Sequence, residues 1–196
     1  LLLHQLNLRF PAGWRYWERL FTRFQHWWIR RFDQIWVPDI PDKYNLAGSM
    51  SQIPASLPQA PPFGLLSRFF YGNPGSSEGE EHWDILVILS GPEPQRSLLE
   101  QLITRQLAYM SGRMLVVHGT PRQPAVQPHH HIASVSHLYS DDLRRAIKSS
   151  RLVVCRSGYS SIMDLLALGK QAVLIPTPGQ SEQEYLAEHL YDKGGF

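Results

Sequence analysis

From residue 84 onward, short continuous apolar runs alternate with amphipathic ones. "DILVILS" (84–90), "RMLVVHG", "HIASVSHL", "LVVC" and "QAVLIP" read as strands, rich in Val, Ile and Leu and bounded by turn residues. Between them, "QRSLLEQLITRQLAYM" places Leu98, Leu99, Leu102, Ile103 and Leu107 on one helical face. "SDDLRRAIKSS" reads as a helix with Ser140 as N-cap and Asp141 and Asp142 in its first turn. "SSIMDLLALG" is a helix closed by Gly169, and "SEQEYLAEHLYDKGG" is another. Continuous apolar strands alternating with helices predict an α/β fold, a parallel sheet covered by helices on both faces.

The first part of the chain has a different rhythm. Leu1 to Leu3 fit the end of a buried strand that stops at His4, Gln5, Leu6 and Asn7. Residues 14–32 read as a helix: Trp14, Trp17, Leu20, Phe21, Phe24, Trp27 and Trp28 recur at three- and four-residue steps. Arg15, Glu18, Arg19, Thr22, Arg23 and His26 fill its other face. Such a helix can pack on a sheet, its arginine stems covering apolar surface. It can also lie in a lipid interface, giving peripheral membrane contact. "QIWVP" (34–38) reads as a short strand, and residues 39–64 as a Pro-, Ser- and Gly-rich connector. "FGLLSRFF" and the flexible "YGNPGSSEGEEH" follow. The expected organisation is residues 1–63 as the end of one domain plus connector, 64–82 as a linker, and 83–196 as the second domain.

Composition narrows the options. The chain has 196 residues, 43% of them apolar, enough for a real core. A formal net charge of +2 is too weak to argue for nucleic acid. The one cysteine, Cys155, sits in an apolar run, so a small buried hydrophobe is expected and no internal disulfide is possible. No apolar run is long enough to span a membrane and no signal peptide is visible, which suits a cytoplasmic protein. The chain starts Leu-Leu-Leu-His and stops at Lys-Gly-Gly-Phe, so a fragment of a longer protein is expected. "HHH" at His129 to His131 lies in a Pro- and Gln-rich loop without spaced partners, so no metal is expected.

The chemistry concentrates where strands end. In an open parallel sheet, ligands bind beyond the carboxyl ends of the strands, where helix N-termini offer free N–H groups. Ser90 and Gly91 follow the first strand of the second domain, Arg156, Ser157 and Gly158 the fourth, and Pro178, Gly179 and Gln180 the fifth. The segment Gly158, Tyr159, Ser160, Ser161 can cradle a diphosphate, or be no more than a solvated turn and helix cap. Asp164 lies about two turns into that helix, placed to accept hydrogen bonds from a ribose diol. The dinucleotide fingerprint, the P-loop and the esterase elbow are all absent.

These residues carry a family resemblance. "LVVCRSGYSSIMDLLALGKQAVLIPTPGQSEQEYLAEHL" strongly resembles the C-terminal half of family 28 glycosyltransferases, GT-B enzymes typified by the peptidoglycan N-acetylglucosaminyltransferase. "HQLN" (4–7) is similar to the motif that closes the family's N-terminal domain, and "GLLSRF" (64–69) to its interdomain stretch. The resemblance implies two Rossmann-like domains facing each other across a cleft, with a UDP-sugar, usually UDP-GlcNAc, held by the C-terminal one without metal or cofactor. The chain would then hold a nearly complete C-terminal domain and the end of an N-terminal one. Asp164 would bind the ribose hydroxyls, beside the turn of Arg156, Ser157 and Gly158. Tyr159, Ser160, Ser161 and Ile162 would flank the diphosphate and uridine. Ser90 and Gly91 would touch the phosphates, and Ser140 and Leu143 would lie near the base. Gln180, Glu182 and Gln183 would serve the donor sugar, while Asn7 and Arg68 would approach from across the cleft.

The chain departs from the family at several points. Pro92 and Pro94 interrupt the glycine-rich loop and remove two N–H donors. Asp164 replaces a Glu, Leu186 or Ala187 stands where an Asn often sits, and His4-Gln5 lacks an acid. The implied chemistry is inverting transfer to an acceptor hydroxyl, with UDP stabilised by helix N-termini. The acceptor is open between a lipid-linked sugar and a small soluble one, and the catalytic base is expected outside this chain. Alone, the chain is expected to bind donor poorly and catalyse little, because an active site between two walls needs both. Two other functions share the fold: a non-catalytic sugar-nucleotide-binding subunit of a split transferase, and a GT-B UDP-sugar 2-epimerase. The second needs a dense set of cleft carboxylates and histidines, which the chain does not show. The N-terminal segment, read as part of a fused acceptor domain, argues against the first.

Overall fold

A computed structural model describes residues 1, 5–41, 45–57, 60–70, 81–121 and 132–192. The order of elements is α1 (Arg15–Ile29), β1 (Trp83–Ile88), α2 (Gln95–Leu107), β2 (Met114–Val117), β3 (Ile132–Val135), α3 (Ser140–Ser149), β4 (Ser150–Arg156), α4 (Tyr159–Ala167), β5 (Ala172–Ile175) and α5 (Ser181–Asp192). The chain divides into two compact units, one of residues 67–177, the other of residues 1–66 and 178–195. Most of the strand end expected at Leu1 to His4, the His129 to His131 loop and the stretch 71–80 lie outside the described residues.

The unit of residues 67–177 is a five-stranded sheet in the order β3-β2-β1-β4-β5 with every pairing parallel. The helix-covered parallel sheet predicted from the alternation is therefore observed, and it fits the Rossmann-like domain that the resemblance implied. Its strands carry apolar residues on both faces because both faces are covered. One face gathers Leu86, Leu115, Val117, Val153 and Cys155 against Leu143 and Ile147 of α3 and Leu165 of α4. The other gathers Ile85, Val87, Met114 and Val116 against Leu99 and Leu107 of α2. Leu86 and Val153 are both 0% exposed. Each contributes about 1.5–3 kcal/mol by its burial. Cys155 is buried as expected, and desolvation pushes its thiol pKa up to about 12.

Helix ends explain several boundaries. Helix α4 closes in a Schellman turn: the Lys170 amide donates to the Leu165 carbonyl at 2.9 Å and the Gly169 amide to Leu166 at 3.0 Å. Gly169 has φ +64°, a conformation that costs a residue with a Cβ. Two expectations differ. The α3 N-cap is Tyr139, with Ser140 as first helical residue and no side-chain cap. On α2, Leu98 and Leu102 point outward, so the buried stripe is narrower than the periodicity suggested.

In the unit of residues 1–66 and 178–195, α1 is docked by its polar stripe. Thr22 Oγ1 accepts from the Leu8 amide, Glu18 from the Phe10 amide, and Gln25 donates to the Gln5 carbonyl. The His26 ring bonds the Leu6 carbonyl, and Ile29 is the helix's buried residue. The aromatic side is left exposed: Trp14 and Phe24 are each 62% exposed and Trp27 52%. Among the described residues, 34–38 belong to no ladder, and the Trp36 amide donates to the Leu1 carbonyl at 2.7 Å. Val37 makes an isolated parallel bridge to Pro62, and Pro38, Pro61 and Pro62 lack the N–H groups that a ladder needs. Asp39 is buried and accepts from the amides of Ile40, Leu46 and Ala47, which satisfies its charge and shapes the following loop. Tyr185 of α5 bonds the Ser49 amide and hydroxyl at 2.9 Å.

Gly169→Ala should lower stability by about 1 kcal/mol, a fall of about 2–4 °C in Tm by thermal unfolding. An unchanged Tm would mean that the turn tolerates a side chain.

Candidate functional site

The strand order places the reversal of the sheet between β1 and β4. From β1 the chain proceeds outward to β2 and β3, then returns to β4 and proceeds to β5. The crevice outside the carboxyl ends at such a reversal is where open α/β sheets bind ligands. Two of the three loops selected from the sequence lie there, Ser90 and Gly91 after β1 and Arg156, Ser157 and Gly158 at β4, whereas Pro178, Gly179 and Gln180 belong to the other unit.

The two helices that start from these loops differ in charge and in available N–H groups. At α2 the Arg96 amide is taken by the Pro92 carbonyl and the Leu98 amide by Pro94. The Ser97 amide donates to Glu93 Oε2 at 3.2 Å. Glu93 is also paired with Arg96, at 2.7 Å from Nε. Arg96 continues to Glu100, and Glu100 to Nδ1 of the buried His118 at 3.1 Å. Hydrogen bonding from Ser97 first, and then from Arg96, holds the Glu93 carboxyl below the ordinary value of 4.5. An ionised carboxylate of the chain itself therefore sits at the α2 N-terminus. Ser90 and Gly91 are exposed, on a loop already supplied with an anion.

The α4 N-terminus carries no such anion. Its N-cap Gly158 makes no side-chain cap and its first turn has no acid. The Ile162 amide is the one that returns to the Gly158 carbonyl, so the amides of Ser160 and Ser161 precede the intrahelical ladder. Gly158 has φ −74°, open to any residue, and an added Cβ would meet only Ser161 Oγ at 3.9 Å. The fold does not demand glycine there; a close-approaching ligand would.

The remaining selected residues divide by burial. Gly158, Ser160 and Ser161 reach the surface, whereas Ser157, Tyr159 and Ile162 are buried. Arg156, 3% exposed, spends its guanidinium on the fold, Nη1 on the Pro176 carbonyl at 2.9 Å and Nη2 on Gln95 at 2.8 Å. Desolvation lowers its pKa from the ordinary arginine value. Asp164, 7% exposed, accepts from Ser67 Oγ at 2.7 Å on Oδ1 and from Arg68 Nε at 2.9 Å on Oδ2. Arg68, expected from the opposite wall, thus bonds Asp164 within the sheet unit. Ser140 is exposed, and Leu143 belongs to the core under the sheet.

In the other unit, Asn7 holds the Ser49 and Gln52 carbonyls at 2.8 and 2.9 Å, which commits its amide to the fold. Its neighbour Gln5 bonds Glu182. Gln183 donates to Gln180 at 2.5 Å, and the Gly179 amide donates to Glu184 at 2.9 Å. An open cavity of about 790 Å³ in this unit, lined by Asp39, Asn45, Gln52 and His189 among others, contains none of the selected donor residues. Among the described residues no three His, Cys, Asp or Glu gather as a metal site, and no helix is long and apolar enough to cross a membrane. Ser67, Glu93 and Gln5 were not selected from the sequence. Only Glu93 left a signal there, in the three- and four-residue spacings that join it through Arg96 to Glu100.

Residues 85–196 match the family described as "Glycosyltransferase family 28 C-terminal domain". The chain belongs to this family. A UDP-N-acetylglucosamine--N-acetylmuramyl-(pentapeptide) pyrophosphoryl-undecaprenol N-acetylglucosamine transferase of Bifidobacterium longum (strain DJO10A) is 34% identical over 92 residues, 46% of this chain and 22% of the relative. A protein of the same name from Pasteurella multocida (strain Pm70) is 26% identical over 114 residues, 55% of this chain and 32% of the relative. Another, from Methylobacterium radiotolerans, is 44% identical over 46 residues, 24% of this chain and 12% of the relative. The chain thus spans a third or less of these relatives. No solved structure matches it.

Because the Glu93 pKa is depressed, its contribution to helix α2 is present above the ordinary value of 4.5 and lost as pH falls through the folded one. A carboxyl titration by NMR should give Glu93 a midpoint below 4.5, and Arg96→Ala should raise it. A midpoint at or above 4.5 in the unsubstituted chain would remove the cap.

Proposed function

We propose that this chain forms the donor-binding part of an inverting glycosyltransferase that transfers GlcNAc from UDP-GlcNAc to a hydroxyl of a lipid-linked acceptor. The observation that carries the reading is the acid-free, uncapped N-terminus of α4 at the β1/β4 reversal, with Asp164 along the same helix. Family membership and relatives named for UDP-N-acetylglucosamine and an undecaprenol-linked acceptor support it.

In this reading the amides of Ser160 and Ser161 and the helix dipole take the diphosphate. Asp164 accepts from the ribose hydroxyls. No metal is required, because the negative charge that develops on UDP meets oriented N–H groups. The acceptor oxygen attacks the anomeric carbon, and the bond from that carbon to UDP breaks. UDP leaves with the electron pair, and configuration inverts. The proton of the acceptor hydroxyl passes to a base expected outside this chain.

Helix α1 supports a lipid-linked acceptor. Its polar stripe is spent on its own chain, which leaves Trp14, Trp17, Phe21, Phe24, Trp27 and Trp28 exposed near Arg15, Arg19, Arg23, Arg30 and Arg31. Aromatic side chains with flanking arginines suit the interface of an anionic membrane. On this ground we infer contact with the cell membrane, at the cytoplasmic face that the sequence reading expects.

Gly158→Ala should leave Tm within about 1 °C of the unsubstituted chain, since an added Cβ meets only ordinary contacts. It should weaken UDP binding by about tenfold or more in calorimetric titration, because the methyl stands over the cradle. Unchanged UDP affinity would move the diphosphate elsewhere. Membrane contact is read separately, with vesicles. The double substitution Phe24→Ala with Trp27→Ala should reduce co-sedimentation with phosphatidylglycerol vesicles by about tenfold. Equal sedimentation of both proteins would exclude α1 as the contact.

A further inference from the structure

We propose that Ser67 is a positioning residue for nucleotide recognition: its hydroxyl fixes the Asp164 carboxylate so that one lone pair on each oxygen remains for a ribose diol. The inference rests on the reading of Asp164 as the ribose acceptor and adds to it the residue that sets its specificity.

The hydrogen bonds have a fixed direction. The Phe69 amide donates to Ser67 Oγ at 3.1 Å, so the oxygen is an acceptor there. The single hydroxyl proton is then committed to Asp164 Oδ1, at 2.7 Å. Arg68 Nε donates to Oδ2 at 2.9 Å. An ionised carboxylate has about four lone-pair sites, two on each oxygen. Ser67 and Arg68 occupy one on each oxygen, which leaves one on each. A ribose presents two adjacent hydroxyls, each with one proton, and so matches the two that remain.

Burial makes this arrangement firm. Ser67 and Asp164 are each 7% exposed, whereas the Arg68 side chain is 53% exposed. The Ser67 contact is therefore the sheltered one of the two and is less weakened by water and salt. Asp has one fewer rotatable bond than the Glu of the resembling family, and with Oδ1 pinned, the plane of the carboxylate is set before a ligand arrives. Orientation fixed in advance costs the ligand less on binding. A purely structural serine would satisfy Asp164 just as well, so the decisive property is discrimination between ribose and deoxyribose, not stability.

The test uses calorimetric titration of the full-length protein, which supplies both walls of the site, with UDP and with 2′-deoxy-UDP, and a Tm for each variant. The unsubstituted chain should favour UDP by about tenfold or more, the loss expected when a hydrogen bond to a charged group is removed. Ser67→Ala, and Ser67→Cys whose thiol is a near-isosteric but weak donor, should reduce that ratio to about threefold or less. Ser67→Thr, which keeps the hydroxyl, should retain it. Variants without the hydroxyl that keep the full ratio, or lose affinity for both nucleotides equally, overturn the role of Ser67 while the ribose reading of Asp164 stands. Equal binding of both nucleotides by the unsubstituted chain overturns the ribose reading and the inference with it. Binding of neither overturns the UDP assignment itself.

Discussion

The sheet unit depends on one buried guanidinium. Arg156 ends β4 and donates to the Pro176 carbonyl just beyond β5 and to the Gln95 carbonyl at the start of α2. The Pro176 carbonyl lies past the end of its strand and outside the ladder, while the Gln95 carbonyl, in the first turn of α2, has a second lone pair to accept with. The planar fork of arginine answers both at once, which a lysine could not do in a fixed geometry. It thereby sets how the β4–α4 turn stands relative to the β1–α2 loop. Burial lowers its pKa; the two Nη groups are satisfied by carbonyls, while Nε has no hydrogen-bond partner among the described residues. Arg156 thus frames the proposed site, whose surface would be made of Gly158, Ser160 and Ser161.

That frame presents two helix N-termini with unequal potential. Helix α2 is closed by Glu93, with Pro92 and Pro94 supplying carbonyls and no N–H. Helix α4 has neither acid nor side-chain cap in its first turn. An incoming dianion therefore meets a carboxylate on one side and the Ser160 and Ser161 amides on the other. The glycine-rich loop of the resembling family has been replaced by a self-capped one, which favours concentrating phosphate recognition on a single helix.

Much of the sheet was legible in the sequence because it rests on local signals. Runs such as "DILVI" and "LVVC" are apolar almost throughout, which a strand covered on both sides explains. Gly169 marked the end of α4, and the strand ends marked the ligand face. The rest depended on tertiary contacts. The stripe of α1 was read correctly as two-faced, but nothing local says that the polar face would be the docked one; that follows from the amides of residues 8 and 10 needing acceptors. Residues 34–38 read as a strand; among the described residues Val37 makes a single bridge to Pro62, whose ring leaves no N–H to extend it. Within the site, Arg156 has the composition of a ligand residue and the position of a structural one. Ser67 lies inside the quoted "GLLSRF" stretch, but nothing there sets it apart, since its bond is to a partner 97 positions away.

In the proposed function the diphosphate engages α4 and not α2. Amide chemical shifts of the isotope-labelled full chain, followed as UDP is added, test it most directly. Large, saturating shifts are expected at Ser160 and Ser161, with those of Gln95, Arg96 and Ser97 small by comparison. Dominant shifts at Gln95 to Ser97 with α4 unmoved would contradict it.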